Sequence, residues 1–102
     1  MDLFDFADPT KARWREFHDE NPHVWEMFER FTFDAIAAGK RNSSAWLIIN
    51  RIRWETEIVT RGSAFKISND HIAHYARHFH EQHPEFAGFF RTRPLKSERR
   101  AA

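Results

Sequence analysis

The sequence contains no cysteine and only three glycines among its 102 residues. Without cysteine there are no disulfides and no thiolate metal sites, which suits a reducing compartment. The glycines stand far apart, at 39, 62 and 88, so no phosphate-cradling loop, "GxGxxG" or "GxSxG" can be assembled. No apolar run approaches the roughly 20 residues that a membrane span requires. The opening "MDLFDFADPTKARW" is acidic and lacks the apolar stretch of a secretory signal. The expectation is a soluble, cytoplasmic protein without membrane attachment.

What the chain does have is aromatic surface. Aromatic residues make up 16% of it, with eleven Phe and four Trp. Each such ring can bury about 150–250 Å², so a few of them supply most of a small core. The length fits one domain. Charge is nearly balanced at +1 overall but unevenly placed. Residues 1–34 carry nine acids and four Lys or Arg, whereas residues 35–102 carry six acids and twelve Lys or Arg. A basic half is the natural place for an anionic partner.

Spacing predicts a mainly α, compact domain of three or four helices. A short helix begins near Thr10, with Trp14 and Phe17 one turn apart. A longer one spans 22–38, with Asn21 as its cap, Pro22 in its first turn and Gly39 as its stop. Val24, Phe28, Phe31, Ala35 and Ala38 recur along it at helical spacing. A third starts at Ser43 or Ser44 and turns Ala45, Ile48, Ile49 and Ile52 inward. Trp46, Trp54, Arg51 and Arg53 fall outside that stripe. "EIVTRGSAFKIS" then reads as a small β-hairpin near 57–67, centred on Gly62. A last helix over 69–83 starts at Ser68 or Asn69 and ends before Pro84. After it, "PEFAGFFRTRP" suggests a helical turn that docks Phe86, Phe89 and Phe90. Residues 1–9 form an acidic arm, 10–92 the single helical domain, and 93–102 a basic, flexible tail.

"HIAHYARHFHEQH", residues 71–83, gathers five of the seven histidines. Laid out at about 100° per residue, Ile72, Tyr75, Ala76 and Phe79 form its core face. His71, His74 and His78 fall on the flank, and the expectation is that they face outward. His74 and His78 have i, i+4 spacing suited to a shared metal, but the third and fourth ligands that zinc wants are missing. No metal, cofactor or catalytic constellation is therefore expected, and the chain reads as non-enzymatic. An outward row of imidazoles would instead gain charge in mildly acidic solution.

The basic half suggests a binding surface. Helix, hairpin and polar-faced helix resemble the parts of helix-turn-helix or winged-helix domains, although a wing normally follows the recognition helix. On that reading Arg51, Arg53, Lys66, Arg77, Arg91 and Arg93 hold phosphates, and Asn69, His71, His74 and His78 approach a groove. The alternative partner is a protein, because Trp and Arg are favoured interface anchors. A homodimer is a further possibility.

In "NPHVWEMF", "IRWET", "FKISN", "YARHF" and "HPEFAGFFRTR" the chain resembles a family of small proteins typical of phages and prophages. The resemblance covers residues 21–93 and implies a setting rather than a mechanism. Small phage-encoded proteins commonly bind DNA, or bind and block host machinery, as anti-CRISPR and other anti-defence factors do. The expectation is a phage-type binding protein that contacts nucleic acid, or else a protein inhibitor of a host complex.

Overall fold

The computed structural model describes residues 9–59 and 66–91. Helix α1 (Pro9–Glu20) opens on its proline, a residue tolerated in a first turn because its missing N–H has no partner there anyway. Asn21 does not cap the next helix as its position suggested. Its backbone N–H and its side-chain Nδ2 both donate to the Phe17 carbonyl, at 2.9 and 3.0 Å, so it completes α1 instead.

Helix α2 (Pro22–Ala37) buries Val24, Phe28 and Phe31 as the spacing predicted. It also buries Thr32, whose hydroxyl donates to the Phe28 carbonyl at 2.7 Å. Gly39, at φ +99°, ends it in the left-handed region. Gly39 N–H bonds to the Ile36 carbonyl and Lys40 N–H to the Ala35 carbonyl, the paired bonds of a Schellman stop. A Cβ at Gly39 would meet nothing within 4 Å, so the cost of Gly39→Ala is purely conformational. It should destabilise the protein by about 1–2 kcal/mol in a thermal melt, with Gly39→Asn closer to the parent.

Ser44 caps α3 (Ala45–Trp54), its hydroxyl accepting the Trp46 N–H at 3.1 Å. Beyond Trp54 the chain does not turn into a strand. Glu55–Val59 form a π-helical turn, in which Thr56 Oγ1 donates to the carbonyls of Ile52 at 2.9 Å and Arg53 at 3.2 Å. A hydroxyl bonded back onto the preceding turn holds a helix widened rather than ended. The hairpin expected at 57–67 therefore lacks its first arm, and its turn at 60–65 lies outside the described residues.

Ser68 caps a 3-10 turn (Asn69–His71) through the Asp70 N–H, and this turn feeds α4 (Ile72–Gln82). The expected helix over 69–83 is thus two joined segments. A second 3-10 turn (Pro84–Phe86) follows. The Ser43 N–H then donates to the Phe89 carbonyl at 3.0 Å, and Ser43 pairs with Phe90 in an isolated parallel bridge.

The fold is mainly helical, with four α-helices and no strand among the described residues. Its core lies where α2, α3 and α4 meet. Phe28, Ile48, Ile49, Ile52, Tyr75, Ala76 and Phe79 fill it, and Phe89 and Phe90 close it from below the second 3-10 turn. From α1 the core receives one fully buried residue, Trp14, with Phe17 packed partly buried against it. The acidic arm lies outside the described residues except for Pro9, which belongs to α1, and the basic tail lies wholly outside them.

Candidate functional site

Helix α3 carries more apolar residues than its inner face can use. Ala45, Ile48, Ile49 and Ile52 go inward against α2 and α4. On the other side Trp46, Leu47, Trp54 and Ile58 remain 49%, 53%, 57% and 53% exposed. Leu47, Trp54 and Ile58 follow one another at i, i+7 and i+11, which places them on one stripe with Asn50 and Arg51 between them. Half-exposed, these four side chains present roughly 400 Å² of apolar surface, comparable to the largest apolar patch of an ordinary monomer, which is often functional. The sequence already hinted at this, since Trp46 and Trp54 fall off the buried stripe. Leu47 and Ile58 gave no such sign, because an aliphatic residue beside other aliphatic residues reads as core.

The two arginines of α3 are held in different ways. Arg51 pairs with Glu55 at 2.8 Å and lies over the Phe31 ring at 5.3 Å, still largely exposed. Arg53 is committed to the fold. Its guanidinium donates to the Ile67 carbonyl at 2.6 Å, to Asn69 Oδ1 at 3.0 Å and to Asn50 Oδ1 at 3.1 Å. It also lies 5.8 Å from the centre of the Trp46 ring. Arg53 thereby ties the end of α3 to the chain entering α4.

Other residues expected at a nucleic-acid surface differ in burial. Lys66, Asn69 and Arg91 are exposed and Arg77 is half-buried, while Arg93 lies outside the described residues. The histidine row does not face outward as a recognition surface. His71 and His74 are buried, at 8% and 5% exposure, and the side chain of His78 is only 20% exposed. The reason is α1, which lies across that flank of α4. A helix viewed alone shows which face is most apolar, but not that a second helix will cover the next face too.

The resulting seam is lined by rings. Trp14 packs edge-on against Tyr75 at 5.6 Å and stacks on His18 at 5.2 Å. His78 sits between Trp14 at 5.3 Å and Trp25 at 4.5 Å. His71 lies against Phe17 at 4.8 Å, and His74 Nε2 is 2.8 Å from Thr10 Oγ1. Burial pulls the His71 pKa below its usual value; Asp70 opposes this and Arg13 adds to it. Burial also lowers that of His78, with His18 and Arg15 adding to the effect and Glu81 and Glu29 opposing it. Tyr75 is pushed upward by burial and stays a phenol.

At the far end of α4, His80 Nε2 accepts the Phe90 N–H at 3.1 Å, so its proton resides on Nδ1. Burial lowers the pKa of His80 as well. His83 Nε2 meets Glu29 Oε2 at 2.7 Å and links α2 to the end of α4. Among the described residues no group of three or more His, Asp or Glu side chains is placed to hold a metal ion. Nor is any helix long and apolar enough to cross a membrane.

These features define a small helical protein with a bare apolar helix face and an imidazole-lined seam. No family model, curated protein or solved structure matches the chain.

Proposed function

We propose that this is a non-catalytic binding protein of phage type whose outward α3 face seats in an apolar groove of a host protein. The observation that carries this reading is the exposure of Trp46, Leu47, Trp54 and Ile58 along one helix. Apolar anchors repeated along one side of a helix are the signature of helix-in-groove recognition. Leu47 and Ile58 favour a protein over a nucleic acid, because aliphatic side chains offer a base nothing to stack on. Glu55 and Glu57 on the same turn would repel phosphates. The stripe supplies roughly half of the 800 Å² that one side of a standard interface buries, and polar neighbours such as Asn50 and Arg51 would form the rim. An inhibitor of a host complex, anti-CRISPR or otherwise anti-defence, is the role such a surface fits.

The test is affinity capture from nuclease-treated host lysate with the parent and with Trp54→Ala. The parent should retain one protein in stoichiometric amount. Trp54→Ala should weaken that complex about 30-fold or more, the effect of losing a central Trp anchor of about 2 kcal/mol. Equal retention by the variant would overturn the proposal, as would a mass in solution showing that the face is already occupied by a second copy. A second reading keeps nucleic acid as partner through Arg51, Lys66, Arg77, Arg91 and Arg93. It draws on the basic surplus of residues 35–102 and on Trp46 and Trp54, which could stack bases. That reading requires a salt-dependent shift of single-stranded or duplex DNA that nuclease abolishes.

A further inference from the structure

We infer that the seam between α1 and α4 is a proton-operated latch, in which neutral imidazoles hold α1 on the body and their protonation in mildly acidic solution releases it. Four histidines from two elements and the turn between them meet there. His18 comes from α1, His71 from the 3-10 turn, and His74 and His78 from α4. The ring centres of His18 and His78 are 5.1 Å apart, so two charges would be forced together. Among the described residues His18 Nδ1 and His71 Nδ1 are buried with no hydrogen-bond partner. An imidazolium donates from both nitrogens, so each would become a buried cationic donor facing rings instead of an acceptor.

The charged groups around the seam do not offset this. Asp70 faces His71, but Arg13 opposes it. Glu81 approaches His78 only to 4.0 Å, with Glu29 also acting on it, while Arg15 and His18 act in the other sense. Burial lowers the proton affinity of His71 and His78 in the closed seam, so protons favour the open one.

Release of α1 alone is feasible because α1 contributes a single fully buried residue, Trp14, whereas α2, α3 and α4 share the rest of the core. Such a helix belongs to the low-stability end of a fold and opens below the global unfolding free energy. His80 also binds through a neutral ring, but it holds Phe90 at the opposite end of α4, so its protonation loosens the core and not the seam.

Hydrogen exchange by mass spectrometry, corrected for intrinsic rates, tests the latch at pH 7.5, 6.5 and 5.5. Protection of α1 amides should fall about tenfold across this range, because opening is linked to proton uptake by more than one imidazole. Amides of 48–52 and 75–79 should change little. In His78→Phe, which keeps a ring between Trp14 and Trp25, the α1 loss should shrink. The latch is overturned if α1 protection is flat with pH, if it falls in step with the core, or if His78→Phe leaves the loss unchanged. Should that variant not fold, NMR titration of the parent decides the matter. His71 and His78 must then titrate together with the loss of α1 protection, and separate titrations reject the idea.

Discussion

Phe79→Ala should lower the unfolding free energy by about 3–5 kcal/mol, a large part of the 5–15 kcal/mol available to a small domain. Phe79 has no exposed surface. Its ring touches those of Phe28 at 6.4 Å, Phe33 at 5.5 Å, Phe86 at 6.4 Å and Phe90 at 5.6 Å, and His83 at 4.8 Å. These neighbours come from α2, the second 3-10 turn and the segment after it, so one deletion loosens three separate joints. Surrounding rings are rigid and cannot collapse into the space, which puts the cost toward the upper end. Phe79→Leu should cost clearly less. Urea unfolding of both variants checks this, and a Phe79→Ala loss below about 1 kcal/mol would contradict the packing described.

Trp14→Ala should have the second largest effect, and its form differs. Full truncation of a buried Trp costs about 3–5 kcal/mol where the structure must stay closed. Here α1 can lift away, so the measured loss should level off at the free energy that docks α1. Hydrogen exchange should therefore show α1 unprotected while 48–52 stay protected. The pH response should weaken as well. In the parent, His71 and His78 have folded pKa values below their unfolded value near 6.5. The unfolded state then binds more protons, and stability is complete above pH 6.5 and lost as pH falls through the folded values. With α1 already released, those rings are more hydrated in the folded state too. The difference in urea midpoint between pH 7.5 and 5.5 should shrink toward the His80 contribution alone. A difference as large as the parent's would contradict the placement of the imidazoles.

Local pattern was enough to reveal α2, α3 and the apolar face of α4, because each has one apolar stripe and recognisable stop signals. Gly39 and Ser44 act as their chemistry suggests. Asn21 did not, since a residue between two adjoining helices can serve either, and the Phe17 carbonyl won. The π turn at Glu55–Val59 escaped because Ile58 and Val59 are β-branched, and strand propensity gave way to continuation of an existing helix. The histidine row was misplaced for a tertiary reason. Its burial depends on α1, whose own pattern gives little beyond Trp14 and Phe17. Arg53 could be seen as outside the stripe, yet nothing in the sequence pairs it with Ile67 and Asn69, whose bonds reach across 14 and 16 residues. Exposure of Trp54 was legible; that of Leu47 was not.

The pairing of Ser43 with Phe89 and Phe90 has a consequence for synthesis. The entry to α3 stays unanchored until Phe90 has been made, nearly half the chain later. At ordinary elongation rates that interval is roughly 2–10 s. Until residues 72–82 have been made, Ile48, Ile49 and Ile52 lack the α4 surface that will cover them, while Trp46, Leu47 and Trp54 remain bare on the opposite side. A nascent chain then shows apolar residues on both sides of α3, and slow decoding between residues 54 and 82 would lengthen the period in which it can aggregate.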